Sequence, residues 1–397
     1  MIKRNPNLAN LKAGYLFPEI AKRRREYAAS HPGAKIISLG VGNTTEPLMP
    51  HITSGLVEGA RRLGTAEGYS GYQDEGMAAL REKISQIFYG GKFSIDEIFI
   101  SDGAKCDIGR LQTLFGAGTK IAVQDPSYPV YVDGSVLAGA AGSGGSGITY
   151  LPCTKENNFF PNLYLIPQNS LIYFCSPNNP TGAAADRLQL TALVDAALEK
   201  GCIIIFDSAY SEFIRDPNLP KNIFDIEKAA LCAVEVNSFS KPAGFTGVRL
   251  GWSVVPKTLK YSGGESVNAD WARIAGTIFN GASNIAQAGG LSALDEQGAA
   301  EMRALTDFYL GNAKLIRDAL LQMKIKCTGG DNSPYIWAHF PGRDSWEVFA
   351  EILEKCQIVT TPGAGFGPAG QGYIRFSAFG HRADVEEACL RLASLNL

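Results

Sequence analysis

Short apolar runs recur along the first two-thirds of the chain, at Ile36–Val41, Glu97–Ile100, Lys120–Val123, Leu171–Cys175, Cys202–Phe206, Leu231–Val236 and Arg249–Val255. Several are nearly continuous in apolar residues, the signature of strands buried on both faces. Helical periodicity fills stretches between them, such as Gly76–Phe88 and Ala185–Lys200. Strands alternating with helices predict a mostly parallel sheet covered on both faces. From about Ala299 the texture changes. A long helix over about Ala300–Met323 leads to a strand at Tyr335–Phe340, a helix at Ser345–Lys355, a strand at Tyr373–Ala378 and a last helix from Ala383. The expected architecture is α/β, with a large mostly parallel-sheet domain over residues 46–298. A smaller α+β domain is expected from residues 1–45 plus 299–397.

Composition removes several functions. The chain has 397 residues, with 37 basic against 39 acidic side chains, a net charge of −2. That balance gives no electrostatic case for nucleic acid or an acidic membrane. No segment approaches 18 consecutive apolar residues, so no membrane span is expected. Eight cysteines and four histidines are dispersed, without Cys-x-x-Cys pairs or zinc spacing. Cys106, Cys175, Cys202 and Cys232, in or beside apolar runs, read as small core residues in a reducing, cytoplasmic setting. The basic run Lys22-Arg23-Arg24-Arg25 reads as the solvated face of a helix.

The chemistry collects where strands end. Apolar runs lead into Asp102-Gly103-Ala104-Lys105, Asp125-Pro126-Ser127-Tyr128, Asn178-Asn179-Pro180-Thr181-Gly182, Asp207-Ser208-Ala209-Tyr210 and Ser238-Phe239-Ser240-Lys241. Ligands of open parallel sheets bind outside the carboxyl ends of the strands, so these motifs should meet in one cleft. Each alone has an ordinary reading: Asn-Asn-Pro-Thr-Gly is a good turn, Asp207 a helix cap, Tyr128 a core residue, Arg249 a surface ion-pair partner. Together they suit one ligand. An amine at Lys241 beside hydroxyl and guanidinium groups suits a Schiff base to a phosphorylated aldehyde, pyridoxal 5'-phosphate. Asp207 would face its ring nitrogen, and Asn179 and Tyr210 its ring oxygen. Tyr128 would cover the ring face. The Gly103-Ala104-Lys105 amides, Ser238, Ser240 and Arg249 would take the phosphate.

The order Asn179-Pro-Thr-Gly, Asp207-x-x-Tyr210, Ser238-x-Ser240-Lys241 and Arg249 resembles the fold-type I aminotransferases of class I/II, over essentially the whole chain. Longer segments are similar to the branch of that family that uses diaminopimelate. They are residues 13–20, 40–47, 66–72, 102–107 and 279–284. The resemblance implies that Arg375 clamps the substrate α-carboxylate, and that Tyr15, Gly42, Lys105 and Asn280 line the substrate pocket. Tyr72 and Glu75 would enter from a neighbouring subunit, Tyr72 to the cofactor phosphate and Glu75 to the substrate's distal ammonium, making the protein a homodimer with shared sites. Aminotransferases for aspartate, aromatic amino acids or alanine, and carbon–sulfur β-lyases, share the cofactor motifs. Three departures from the family stand out: Pro242 directly after Lys241, the adjacent acids Asp74 and Glu75, and the Gly/Ser-rich stretch Ala138–Gly147.

Overall fold

The computed structural model describes residues 1–11, 16–140 and 147–394. Tyr15 and most of the Gly/Ser-rich stretch therefore lie outside the described residues. In chain order the strands are β1 (Ile37–Ser38), β2 (Ile98–Ser101), β3 (Lys120–Asp125), β4 (Ile148–Pro152), β5 (Ser170–Cys175), β6 (Ile203–Asp207) and β7 (Ala233–Ser238). They continue as β8 (Gly251–Val254), β9 (Cys327–Gly329), β10 (Tyr335–His339), β11 (Ile358–Val359), β12 (Thr361–Pro362) and β13 (Tyr373–Ser377).

Seven strands form the large sheet in the order β2-β8-β7-β6-β5-β3-β4. Strands β3 to β7 pair in parallel, while β8 runs antiparallel to both β2 and β7. The continuous apolar runs are explained by burial on both faces. Along β6, Ile204 and Phe206 enter one core with Ile172 and Phe174, and Ile205 enters the opposite core with Tyr173 and Val234. Alternate side chains of a strand point to opposite faces, so each face needs its own apolar partners.

The second sheet has four antiparallel strands in the order β12-β13-β10-β9. Its core joins distant parts of the chain. Leu16, Ile20 and Tyr27 of the helix Leu16–Ser30 pack with Ile316 and Leu320 of the helix Glu296–Gln322 and with Ile352 and Phe376. The run Ile36–Val41 is corrected by the structure. Only Ile37–Ser38 is strand, and it pairs in parallel with β11 instead of entering the large sheet. Sequence alternation could not reveal this, because its partner lies more than 300 residues away. Strands β4, β9, β11 and β12 also escaped the sequence reading.

Candidate active site

A cavity of about 310 Å³ opens between the two sheets and gathers the ends of β5, β6 and β7. Its walls include Lys241, Asp207, Tyr128, Asn179, Tyr210 and Arg375. Ser238, Ser240, Arg249, Ala104, Lys105 and Gly42 complete the sequence-predicted set that the fold brings together.

Lys241 stands three residues past β7, in a loop that folds back so that the Phe239 amide donates to Leu250 O at 3.1 Å. Pro242 fits here without loss. The turn is closed by the Ala243 amide donating to Phe239 O at 3.1 Å, so no N–H is required from residue 242. The ammonium reaches Gly42 O. Burial and the neighbouring Arg375 and Arg249 guanidinium groups push the Lys241 pKa down to about 7, and Asp207 opposes them. An amine near neutrality is a nucleophile and a proton carrier at physiological pH.

Asp207 ends β6, and its carboxylate is held at both oxygens. Tyr131 donates to Oδ2 at 2.7 Å and the Ala209 amide to Oδ1 at 3.1 Å. Burial raises its pKa, while the Tyr131 and Ala209 bonds and Lys241 oppose the rise. Tyr131, which the sequence reading missed, lies in the first turn of the helix Val130–Leu137 and meets the Tyr128 ring edge-on at 5.9 Å. Its only sequence signal was a tyrosine three positions after Tyr128.

Arg375 lies in β13 with 1% of its surface exposed. It donates to Asn179 Oδ1 at 2.7 Å, to Gly40 O, and to Thr361 Oγ1 at 3.4 Å. No carboxylate among the described residues pairs with it, and its buried Nε has no partner. A buried guanidinium with an unmet donor is a receptor for a planar anion. Because Asn179 turns its carbonyl to Arg375, its amide nitrogen is left to serve as a donor.

The opposite end of the cavity is built for an anion. The helix Ala104–Phe115 begins here, and its first amides are unpaired within the helix. Gly103 precedes it with φ +121°, and a Cβ there would fall 2.3 Å from an Arg249 guanidinium nitrogen. Arg249 donates to Ser240 Oγ at 3.3 Å, and the Ser240 amide donates to Ser238 Oγ at 3.0 Å. The Lys105 ammonium stands 5.9 Å from the Tyr128 ring centre.

Three predicted residues lie elsewhere on the chain. Tyr72 is 86% exposed. Asn280 stands outside the Lys241 cavity of its own chain. It follows the helix Val267–Ile278 in a left-handed conformation, φ +64°, and shares a surface concavity with Tyr69, Tyr72 and Gln73. Close approach of Gly281 to the Gln73 carbonyl, where a Cβ would lie within 1.9 Å, fixes that pairing. Glu75 accepts from Arg81 at 2.7 Å and remains half-exposed. Neither Tyr72 nor Glu75 reaches the cavity within one chain.

A mostly parallel sheet with a buried lysine after the strand next to an acid-ending strand, and a second sheet supplying a buried arginine, is the frame of a transferase fold. The family described as aminotransferase class I and II matches residues 34–392. The chain belongs to the class I and II aminotransferases. It is similar along 99% of its length to the chloroplastic LL-diaminopimelate aminotransferase of Arabidopsis thaliana, 52% identical over 402 residues that cover 87% of that protein. The LL-diaminopimelate aminotransferase of Protochlamydia amoebophila (strain UWE25) is 49% identical over 399 residues, covering 99% of this chain and 97% of the relative. The solved L,L-diaminopimelate aminotransferase of Chlamydomonas reinhardtii superposes with a TM-score of 0.95 at 54% identity, covering 98% of each chain.

Proposed function

We propose that this aminotransferase interconverts LL-2,6-diaminopimelate plus 2-oxoglutarate with tetrahydrodipicolinate plus glutamate, as a step toward lysine and diaminopimelate. The observation that carries this reading is the full-length similarity to diaminopimelate aminotransferases, at about half identity, of a chain whose cavity holds Lys241, Asp207 and Arg375 together.

The cavity fits pyridoxal 5'-phosphate. Asp207 offers a buried, braced carboxylate at one end, and the Gly103 cradle with Arg249 offers an anion site at the other. Bound there, this group supplies an electron-withdrawing pyridinium that stabilises negative charge at the substrate α-carbon. Lys241 Nζ would hold its aldehyde carbon, Asp207 its ring nitrogen, and Asn179 Nδ2 with Tyr210 its ring oxygen. Tyr128 would lie on the ring face. The Ala104 amide, Ser238, Ser240 and Arg249 would hold the phosphate, joined by Tyr72 from a second copy of the chain.

Once the substrate amine has taken its place on the aldehyde carbon, Lys241, neutral above about pH 7, would carry the proton from the substrate α-carbon to that aldehyde carbon. Arg375 fixes the α-carboxylate through donors that Asn179, Gly40 and Thr361 hold in place, so the α-carbon is oriented toward Lys241. Gly42 and Lys105 line the path to the distal end of the substrate. Glutamate and diaminopimelate share a distal carboxylate, for which Lys105 is the donor; diaminopimelate adds an ammonium, for which Glu75 of the second copy is the acceptor. Asn280 shares the Tyr72 surface, so a dimer that brings Tyr72 to the other cavity brings Asn280 with it.

We place the enzyme in the cytoplasm, since all eight cysteines are free thiols, as a reducing compartment keeps them. Among the described residues no helix is long and apolar enough to cross a membrane.

Purified protein supplied with LL-diaminopimelate and 2-oxoglutarate should release glutamate, and should do so faster than with aspartate, alanine or an aromatic amino acid. Faster turnover of one of those would reassign the substrate. Ammonia and a thiol from cystathionine would make the protein a β-lyase.

A further inference from the structure

Tyr335, like Tyr131, is a cavity tyrosine that the sequence reading missed. It opens β10 in the small sheet, while Tyr210 follows β6 in the large one. Their hydroxyls lie 2.8 Å apart and their rings meet edge to face, 5.2 Å between centres at 70°. Both are buried. Burial raises both phenol pKa values, so each hydroxyl keeps its single proton.

The other neighbours of Tyr335 restrict where its proton can go. The Arg375 guanidinium lies over its ring at 4.4 Å and offers donors only. Gly42 packs so closely that a Cβ there would fall 2.5 Å from the Tyr335 oxygen and 3.9 Å from Lys241 Nζ. Tyr210 Oη is the acceptor within reach. A hydroxyl that gives its proton to one partner still has lone pairs for another. If Tyr210 donates into the cavity, its oxygen is free to accept from Tyr335.

We propose that Tyr335 is a positioning residue: its hydroxyl donates to Tyr210, which commits the Tyr210 proton to the ring oxygen of the bound pyridoxal phosphate. This rests on the cofactor reading given above. Hydrogen bonds in such a chain polarise one another, so Tyr210 becomes a stronger donor than it is alone. A stronger donor at the ring oxygen stabilises negative charge there. It competes with the neighbouring protonated nitrogen that joins the cofactor to Lys241, and that nitrogen loses its proton at lower pH. The residue also ties the small sheet, which carries Arg375, to the large sheet, which carries Tyr210.

The charged and titratable groups facing this pair are Arg375 from β13, Cys175 from the end of β5, Asp207 from the end of β6 and Tyr128 after β3, with Lys241 in the same cavity. None is altered by Tyr335→Phe, which keeps the ring under Arg375 and deletes only the hydroxyl.

The test is a pH titration of the visible absorbance of the holoenzyme, for the parent, Tyr335→Phe, Tyr210→Phe and the double variant. In Tyr335→Phe the midpoint should rise by about half a pH unit or more. Tyr210→Phe should raise it at least as much, and the double variant should match Tyr210→Phe alone, because the chain acts only through Tyr210. An unchanged midpoint in Tyr335→Phe, or shifts that add in the double variant, would overturn the relay while leaving the cofactor reading intact. A parent that takes up no titrating chromophore from added pyridoxal phosphate would remove both. A role in packing alone would lower the melting temperature and leave the midpoint where it was.

Discussion

Lys241 is an amine walled by two arginines, and its chemistry follows from that placement. An exposed lysine is charged far above neutrality, with an ordinary value of 10.5, whereas this one is pushed down to about 7. Burial and like charge disfavour the ammonium, so the amine is neutral and reactive above pH 7 and protonated below it. In cofactor-free protein, the rate at which pyridoxal phosphate or an amine reagent modifies residue 241 should rise with a half-point near pH 7. The rate measured against pH, with Lys241→Ala as the blank, checks this. A half-point near that of an ordinary lysine would show that neither burial nor the two guanidinium groups depress it. Lys241→Ala should also abolish turnover. The lysine, Asp207 and Arg249 were legible in the sequence because each chemistry-bearing side chain ends or follows a recognisable apolar run. Tyr131 and Tyr335 were not. A tyrosine in a helix turn or at a strand start has many ordinary uses, and only the 2.7 Å and 2.8 Å contacts give these two a role.

The start of the helix Ala104–Phe115 and the loop from β7 to β8 approach closely where Gly103 meets Arg249. Arg249 is itself left-handed, φ +69°, so both backbones are shaped for this approach. Gly103→Ala places a methyl group where the guanidinium lies and forces a side chain into a conformation that favours glycine. Cofactor affinity should fall roughly tenfold or more, about 1.4 kcal/mol, since both the helix amides and the guanidinium move from the anion site. Titration of cofactor-free protein with pyridoxal phosphate measures it. Unchanged affinity would locate the phosphate elsewhere. The strand ends themselves were read from the sequence to within a few residues, because burial on both faces leaves a run of apolar side chains. Short β11 and β12 have no such run, as each is held by neighbours rather than by its own pattern.

In the whole molecule, the cavity of one chain lacks Tyr72, Asn280 and Glu75, the first two of which share another part of its surface. A dimer that exchanges these surfaces completes two sites. Lys241→Ala and Tyr72→Ala homodimers should each be strongly impaired. Unfolded and refolded together, they should regain activity toward about a quarter of the parent, because half of the dimers are mixed and each mixed dimer has one intact site. Activity no greater than the sum of the separate variants would place Tyr72 in its own chain's chemistry. The smaller sheet was legible from Tyr335 onward as an α+β pattern. The joining of the N-terminal helix to that core was expected from the sequence only in outline, because β1 and β11 find each other across the length of the chain.

The amino-acid order alone determined the sheet-forming runs and which polar residues, among them Asp207, Ser238, Ser240 and Lys241, end or follow them, since these depend on local pattern. It named Asn280 for the site without revealing that Asn280 shares the Tyr72 surface, and it passed over Tyr131 and Tyr335. Those assignments depend on which distant segments touch: a glycine pressed on the Gln73 carbonyl carries Asn280 to the Tyr72 surface, and the meeting of two sheets brings Tyr335 to Tyr210. Contacts between residues far apart in the chain are fixed by packing and hydrogen-bond satisfaction in three dimensions, and no window of the sequence contains both partners.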